Sequence, residues 1–365
     1  MQLNHIIQSL EQWAPLAYQE EYDNCGLLVG NKNAECTGIL ISLDVTEEVL
    51  QEATQKKCNL IVAHHPVLFK GIKKINGGNY VERVIIHAIK NDIAIYAIHT
   101  NLDNIIDGVN YALAQKIGLQ KTTILQPKKG LLSKLYTFVP PDHKDSVLAA
   151  LFHAGAGHIG QYSECSFGVT GTGTFLPSEG TRPFSGIIGT RSSEKEEKIE
   201  VIFPSWLRYS VIRALLGSHP YEEVAYDIIS LTNDFQNVGS GLIGFLPDPV
   251  EETQFLKDLK EKVGVPVIRH SALLGKKISK VALCGGAGVF LTEAATKAGA
   301  DIFITADIKY HDFFEPDGRL VLADIGHWES EQFTIDRILA FLSEKFPTFA
   351  VLKTEVKTNP VRYFD

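Results

Sequence analysis

Two adjacent histidines follow a short apolar segment, at the point where a predicted strand must end. Residues 60–63 are all apolar, which is typical of a buried strand in a parallel sheet. His64 and His65 come next, and Pro66, which has no backbone N–H, cannot extend the strand. In open α/β sheets, ligands bind beyond the carboxyl ends of the strands. The two imidazoles are therefore candidate metal ligands.

Three later side chains are candidates for the same site. Asp103 stands a few residues beyond the apolar segment 93–98, and His327 and Glu331 lie four apart, on one face of a predicted helix. Each has a simpler alternative. The His/Glu couple could be a solvated pair, Asp103 a turn former or helix cap, and the histidine pair a partner for buried backbone groups. Their shared position at strand and helix ends favours a site.

Three imidazoles and two carboxylates suit two divalent metal ions with one carboxylate bridging them, and such ions lie about 3.5–4 Å apart in two-metal hydrolases. Nitrogen and oxygen ligands without thiolate favour zinc, with iron, manganese or nickel as alternatives, over calcium. Positions left open on such ions admit water or substrate, which indicates hydrolysis. His99, at the strand end that precedes Asp103, is the candidate for proton transfer. Its alternative is a buried, hydrogen-bonded histidine.

Bulk properties exclude several classes of protein. A chain of 365 residues exceeds one ordinary core, and 45% hydrophobic with 21% charged residues is typical of soluble domains. A net charge of −8 argues against a general nucleic-acid or membrane surface. The five cysteines are scattered without a Cys-x-x-Cys pair, which favours a reducing, cytoplasmic setting. The N-terminus lacks a signal-peptide pattern, and apolar runs are too short to span a membrane.

The order of predicted elements indicates three segments. Residues 1–129 alternate strands and helices, as in a mainly parallel sheet, and residues 234–365 resume that rhythm. Between them, residues 130–233 follow the order β-α-β-β-α-β of a ferredoxin-like domain. The prediction is a two-lobed α/β core with mainly parallel sheets and an inserted ferredoxin-like α+β domain. Within the core, we expect Asp44 to cap the helix that starts near Thr46.

A glycine-rich segment at residues 285–288 precedes another predicted helix. Its backbone N–H groups could cradle a phosphate, but it lacks the Lys-Ser/Thr of a P-loop and the spacing of a dinucleotide fingerprint. A tight strand–helix turn is the simpler interpretation.

Four segments carry a resemblance to a known family: YDNCGLLVG at residues 22–30, AHHP at 63–66, HTNLD at 99–103 and GHWESE at 326–331. With these, the sequence resembles the NIF-three-like family, whose bacterial members are called GTP cyclohydrolase 1 type 2 homologs. The resemblance implies two divalent metal ions per subunit, bound by His64, His65, Asp103, His327 and Glu331. It also implies a toroidal homohexamer with the metal sites facing its interior.

Two further points qualify the resemblance. Shorter members of the family often have a second histidine directly after the one matching His327, where this chain has Trp328. Residues 218–223, SHPYEE, resemble a segment of the PII and CutA signalling proteins, which share the ferredoxin-like fold and often trimerise. His219 in that segment is a candidate ligand-binding residue, with a capping or interface role as its alternative.

The functional prediction is a dinuclear metal-dependent hydrolase that acts on GTP or another phosphoester. The alternative is a regulatory protein or metallochaperone, which binds metal or a ligand through a PII-like sensing domain without turnover. A purely structural scaffold would leave the five candidate ligands without a role.

Overall fold

The computed structural model describes residues 1–364 of the chain. These residues form two compact units. The first consists of Met1–Gln126 and the described residues from Asn237 onward, and the second is Pro127–Gln236.

Helices and short strands alternate along most of the chain. The strands are β1 Gly26–Val29, β2 Ile39–Ser42, β3 Leu60–Ala63, β4 Ala94–Ala97, β5 Gln120–Lys129, β6 Leu132–Val139, β7 Ser166–Phe175, β8 Ser192–Pro204, β9 Tyr226–Leu231, β10 Asp234–Glu251, β11 Arg269–His270, β12 Lys277–Leu283, β13 Ile302–Thr305, β14 Val321–Asp324 and β15 Val351–Lys353. The helices are α1 Leu3–Trp13, α2 Glu47–Gln55, α3 Tyr80–Lys90, α4 Thr100–Asp103, α5 Val109–Ile117, α6 Lys144–His153, α7 Arg208–Ser218, α8 Glu252–Val263, α9 Thr292–Lys297, α10 His327–Glu331 and α11 Thr334–Lys345. Within residues 1–364, no helix combines the length and apolar character needed to cross a membrane.

The first unit contains a five-stranded sheet in the order β1-β4-β3-β2-β15. The pairings from β4 through β3 and β2 to β15 are parallel, whereas β1 runs antiparallel to β4. Every residue of β2, β3 and β4 is buried, as expected for strands that are apolar apart from Ser42 at the end of β2. The carboxyl ends of β3 and β4 therefore lie side by side and carry His64 and His99 to one edge of the sheet.

The second sheet of this unit has six strands in the order β11-β14-β13-β12-β10-β5. The pairs β12–β13 and β13–β14 are parallel, but β10–β12 and β11–β14 are antiparallel. The prediction of mainly parallel sheets is thus wrong in this sheet, and both sheets are mixed. A short apolar segment shows the same pattern in either chain direction, so periodicity does not reveal which edge strands reverse.

The second unit is an antiparallel four-stranded sheet in the order β7-β8-β6-β9. Alternate residues of a strand face opposite sides, and Ile199, Val201 and Phe203 of β8 face one side. They pack there with Leu151 of α6 and Leu215 of α7. Glu200 and Ile202, which stand between them, consequently lie on the other side of the sheet.

One predicted helix is broken in the structure. The sequence predicts a continuous helix from residue 327 to about residue 342, whereas α10 ends at Glu331 and α11 begins at Thr334. Between them, the side-chain amide of Gln332 donates to the carbonyl oxygens of Val263 (3.0 Å) and Glu329 (3.1 Å). The break leaves α10 as a short helix that carries only the His327–Glu331 pair into the site.

Glu52 of α2 fixes the segment that follows β15. It is only 8% exposed, and it accepts hydrogen bonds from Lys56 Nζ (2.7 Å), from the backbone N–H of Glu355 (2.9 Å) and from the Thr354 hydroxyl. Burial opposes ionisation, but these donors outweigh it and lower the pKa of Glu52 below its usual value. Ionised Glu52 therefore stabilises the fold above its unfolded-state pKa, and this contribution is lost as the pH falls through the folded-state pKa.

We expect Glu52→Gln to lower the free energy of unfolding by about 1–3 kcal/mol at pH 7.5, because charge-assisted hydrogen bonds are lost. The difference from the wild type should be smaller at about pH 3, because the stabilisation by ionised Glu52 is progressively lost as the pH falls below the unfolded-state pKa of about 4.3. Urea denaturation followed by circular dichroism at both pH values measures this. The exposed Glu344 on α11 supplies the control, since Glu344→Gln should stay within about 0.5 kcal/mol. A pH-independent difference would contradict the assignment.

Candidate metal centre

The backbone at the end of β3 holds both adjacent histidines in place. The amides of His64 and His65 continue the parallel pairing with β2 by donating to the carbonyl oxygens of Ser42 (3.1 Å) and Leu43 (2.8 Å). Pro66 follows and ends the ladder. Both imidazoles are therefore anchored by main-chain hydrogen bonds.

The ring of His64 is fully buried, with one nitrogen paired and one unpaired. Its Nδ1–H donates to the carbonyl oxygen of Ile98 (2.9 Å). Its Nε2 lies 3.6 Å from Asp103 Oδ1 and 3.9 Å from Glu331 Oε1, and no hydrogen-bond partner within residues 1–364 reaches it. A buried nitrogen without a partner is unfavourable by about 1–3 kcal/mol. The free lone pair points toward carboxylate oxygens. An imidazole nitrogen together with carboxylate oxygens is a typical set of ligands for a divalent metal ion.

His65 lies between two carboxylates. Its Nδ1 is 2.8 Å from Asp44 Oδ1, and its Nε2 is 2.9 Å from Glu331 Oε2. Asp44 is in turn held by the hydroxyl of Thr358, which donates to Oδ2 (2.6 Å). Asp44 thus orients the ring so that Nε2 faces Glu331.

The helix α10 supplies the second half of the site. Gly326, with φ of 86°, turns the chain out of β14, and His327 and Glu331 then share one face of the helix. His327 Nε2 is 3.2 Å from Glu331 Oε2, and its Nδ1 is 2.7 Å from Asp307 Oδ2. Glu331 is 3% exposed. One oxygen of this buried carboxylate therefore faces His65 and His327 together, while the other faces His64.

Asp103 is placed by α4, directly after the end of β4. Its side chain is 27% exposed, and its Oδ1 lies 3.6 Å from His64 Nε2. The largely enclosed position raises the pKa of Asp103, and the His64 ring opposes that shift. The structure thus brings all five predicted ligands into one cluster.

Proton affinities in the cluster reflect its excess of negative charge. Burial disfavours the charged form of His65, but Glu331 and Asp44 outweigh it and raise its pKa to about 10. Burial likewise opposes charge on His327, while Asp307 and Glu331 raise its pKa to about 11. The same contacts hold the pKa of Glu331 well below its usual range in spite of burial. The cluster therefore attracts positive charge, as protons or as a metal ion.

His99 completes the imidazole group. Its Nδ1 is 2.8 Å from Asp23 Oδ1, and its ring centroid lies 5.2 Å from that of His64 and 5.5 Å from that of His65. Asp23 also accepts from the backbone N–H (3.0 Å) and the hydroxyl of Thr100. Although burial opposes ionisation, the hydrogen bonds and the His99 ring hold the pKa of Asp23 far below its usual range.

The potential ligand atoms form two groups that share His65. His64, His65 and His99 make one, and His65, His327 and Glu331 make the other, each with ligand atoms within 4.8 Å of one another. His99 is therefore placed as a further potential ligand, beyond the proton-transfer role predicted for it. The donor set fits one or more divalent metal ions.

Sequence reasoning missed the carboxylates that hold the imidazoles. Asp44 was expected to cap α2, but that cap is Thr46, whose hydroxyl accepts from Val49 N (3.3 Å), and Asp44 instead holds His65. Asp307, just beyond β13, holds His327 in the same way. Both residues follow parallel strands, so the rule that located the ligands could have found them. Such partners fix the ring and raise the basicity of its other nitrogen.

The glycine-rich turn after β12 contacts the carboxylate of the site. The backbone N–H groups of Gly285, Gly286 and Gly288 donate to the side chains of Asn110, Ser330 and Thr305, each at 2.9 Å. These three donors serve the protein itself, as in a tight strand–helix turn. A Cβ at Gly286, whose φ is +62°, would lie 2.4 Å from Glu331 Oε1. Glycine at this position leaves room for the carboxylate.

Trp328 follows His327 on α10. Its Nε1–H donates to the Thr358 hydroxyl (3.3 Å), and Lys357 Nζ lies 5.2 Å from its ring centroid. Because Thr358 also holds Asp44, the indole supports the hydrogen-bond chain that ends at His65.

The model of the family Duf34/NIF3 (NGG1p interacting factor 3) matches residues 1–360. The chain belongs to this family. A relative from Halalkalibacterium halodurans, named GTP cyclohydrolase 1 type 2 homolog, is 39% identical over 364 residues, covering 98% of each chain. The homologue of the same name from Bacillus subtilis is 36% identical over 365 residues, covering 98% of this chain and 97% of its own.

Solved structures support the same assignment. A Bacillus cereus protein related to NIF3 superposes with a TM-score of 0.87 at 37% identity, covering 100% of this chain and 99% of that one. A Staphylococcus aureus protein superposes with a TM-score of 0.80 at 28% identity, with the same coverage. The reduced HcgD of Methanocaldococcus jannaschii shares the fold, with a TM-score of 0.58 at 18% identity, covering 98% of both chains.

We expect Gly286→Ala to impair the site, because the added methyl group would displace the Glu331 carboxylate. Gly299→Ala is the matched control, since Gly299 has φ of +71° but a Cβ there meets no described atom within 4 Å. Both variants should lose about 1–2 kcal/mol of stability from left-handed backbone strain. Only Gly286→Ala should also lose bound metal, measured by elemental analysis after gel filtration. Equal metal content in the two variants would count against the proposed contact.

If the cluster holds a divalent ion, we expect Asp44→Asn to weaken its binding by about 10–100-fold with zinc as the probe, because a neutral acceptor no longer increases the basicity of His65. Competition with a chromogenic chelator measures the dissociation constant. Asp336→Asn is the control, as Asp336 pairs with Lys353 at the surface, and its affinity should match that of the wild type. Unchanged affinity in Asp44→Asn would show that Asp44 does not support the site.

Proposed function

We propose that this chain binds two divalent metal ions through His64, His65, Asp103, His327 and Glu331 and acts as a metal-dependent hydrolase. The observation that carries the proposal is the unpaired Nε2 of the fully buried His64, which lies beside the Asp103 and Glu331 carboxylates. Zinc suits this set of ligands, with iron, manganese or nickel as alternatives. Divalent ions, when bound, act as Lewis acids toward carbonyl or phosphoryl oxygens and make water a stronger acid.

The side chains of the protein have distinct roles in this proposal. Glu331 has one oxygen toward His65 and His327 and the other toward His64, so both of its oxygens would be available to hold bound ions. Asp44 and Asp307 keep the two rings oriented through Nδ1. His99, held at Nδ1 by Asp23, keeps Nε2 available to accept or release a proton. Asp103, with a side chain that is 27% exposed, is the more accessible of the two proposed carboxylate ligands, since the Glu331 side chain is 4% exposed.

The substrate class we propose is a nucleotide or another phosphoester, with GTP as the first substrate to test. The support is the name GTP cyclohydrolase 1 type 2 homolog carried by relatives at 39% and 36% identity. Hydrolysis would then occur at a ring carbon or at a phosphorus atom, both of which are open to attack by an activated water.

We also propose a ferredoxin-like fold for the second unit and a toroidal homohexamer for the assembly. For the fold, the support is the element order β6-α6-β7-β8-α7-β9 with strand order β7-β8-β6-β9. For the assembly, it is the resemblance to the NIF-three-like family, and sedimentation of the purified protein measures the mass. A cytoplasmic location is supported by the five cysteines, all of which are free thiols.

We expect purified protein to contain about two divalent ions per chain and to hydrolyse GTP or bis(p-nitrophenyl) phosphate. Glu331→Gln should lower kcat at least about 100-fold and reduce the metal content, because the shared carboxylate is lost. Glu344→Gln, at the surface of α11, is the matched control and should behave like the wild type. Circular dichroism checks that both variants fold.

Two outcomes would decide against this function. Hydrolysis that survives in Glu331→Gln would place the activity elsewhere. Full metal occupancy without product across nucleotides and phosphoesters would favour the alternative, a metal- or ligand-binding regulatory protein or metallochaperone. A cavity in the second unit gives that alternative a specific structural basis.

A further inference from the structure

The second unit contains a cavity of about 590 Å³. Its lining comes from one side of the sheet and from the segments that close over it, and includes Phe138, Gly171, Phe175, Phe184, Glu196 and Tyr221. Binding pockets for small organic molecules fall in this size range. All of the lining residues belong to the second unit, and none of them is a residue of the proposed metal centre.

The cavity lies beside two glycines of β7, Gly171 and Gly173, which have no side chains to fill it. Gly171 of β7 pairs with Glu196 of β8, and residues paired across antiparallel strands project to the same side. A Cβ on Gly171 would meet no described atom within 4 Å, whereas one on Gly173 would lie 2.0 Å from Glu196 Oε2. The two glycines therefore open the space into which Glu196 projects.

Glu196 is a buried acid with unused hydrogen-bonding capacity. It is 7% exposed, and its Oε1 accepts from the Tyr221 hydroxyl (2.8 Å). No donor within residues 1–364 reaches its Oε2. Burial and the adjacent carboxylate both raise the pKa of Tyr221, so the phenol stays a neutral donor. One oxygen of a carboxylate inside the cavity is thus left for a ligand.

The negative charge of the cavity lining favours a positively charged ligand. Glu222 and Glu223 add two further carboxylates to the lining, and Lys198 is its only cation. The Lys198 ammonium is already engaged, since it donates to Glu200 Oε1 (2.8 Å) and lies 4.4 Å from the Tyr136 ring centroid. An anionic group such as a phosphate would meet uncompensated negative charge, whereas a cation would balance it.

Aromatic rings supply the remaining complementarity. The rings of Phe184 and Tyr221 lie with centroids 5.9 Å apart, and Phe138 and Phe175 line the same space. Aromatic faces bind both apolar bodies and ammonium groups. The segment that carries Phe184 is tied across the cavity by the backbone N–H of Arg182, which donates to Glu222 Oε2 (2.8 Å).

From this geometry we propose that the second unit binds a small organic cation, an ammonium group attached to an aromatic or apolar body, with the ammonium on Glu196 and the body among the aromatic rings. The proposal goes beyond the hydrolase function and does not depend on it. It assigns to this unit a ligand of the opposite charge to a nucleotide.

Three isosteric probes test the sign of the charge: tryptamine as the cation, tryptophol as the neutral analogue and indole-3-propionate as the anion. Ligand-observed NMR titration of the full chain measures their dissociation constants. We expect tryptamine to bind at least about 10-fold more tightly than either analogue. Equal or tighter binding of indole-3-propionate would overturn the proposal, as would absence of tryptamine binding up to about 5 mM.

Variants then locate the site. Glu196→Gln should remove the preference for the cation while retaining a partner for Tyr221. Glu197→Gln is the matched control, because Glu197 is adjacent on β8 but accepts from the Thr170 hydroxyl (2.6 Å) and does not line the cavity. It should change tryptamine affinity by less than about twofold. If Glu196→Gln keeps the preference, or Glu197→Gln loses it, the assignment is wrong.

Two further variants distinguish binding in the cavity from binding at the metal centre. Gly171→Leu should fill the cavity and abolish binding of all three probes, and it decides the location even if Glu196→Gln fails to fold. Glu331→Gln, which alters the metal centre, should leave tryptamine binding unchanged. Tryptamine binding that is lost in Glu331→Gln but kept in Gly171→Leu would assign the probe to the metal centre and overturn the cavity site.

Discussion

A carboxylate shut away from water must be surrounded by positive or hydrogen-donating groups, and Glu331 imposes this condition on the first unit. It is 3% exposed and lies against three imidazoles that come from two separate sheets. Several parts of the structure together provide this compensation for the Glu331 charge. The strand ends fix the histidines, and the outer nitrogens of the three rings are held by the Ile98 carbonyl oxygen and by the carboxylates of Asp44 and Asp307. Gly286 leaves room for the acid. Loss of any of these contacts would leave the buried Glu331 charge less well compensated.

Much of this arrangement could be predicted from sequence, because the chemistry sits where strands end. The four apolar residues before His64 and the i,i+4 spacing of His327 and Glu331 each predict a location, and the structure brings those locations together. Asp44 and Asp307 were not predicted as ring partners. A lone aspartate after a strand has several common uses, and only the three-dimensional position of the imidazole selects among them.

The directions of the strands were the least predictable part of the fold. β1, β10 and β11 have antiparallel neighbours that are distant in sequence. The pattern of buried residues in a short strand is unchanged when the strand is reversed, so nothing local records its direction. By contrast, the element order of the second unit could be predicted, because β6 and β8 are long enough to show alternation of buried and more exposed residues. The cavity there was not predicted. Glycines inside a strand commonly mark a bulge or a weakened strand, so Gly171 and Gly173 do not by themselves indicate a cavity.

The hydrogen bond from Thr358 to Asp44 joins residues that are 314 positions apart. A ribosome-bound chain that has just released the β3 histidines has neither α10 nor this threonine, and so offers only a bare imidazole pair. Capture of a cofactor by such an intermediate would be weak and unselective. Under the proposed metal-binding function, the ions would therefore bind after translation, when the complete fold has fixed the positions of the ligands.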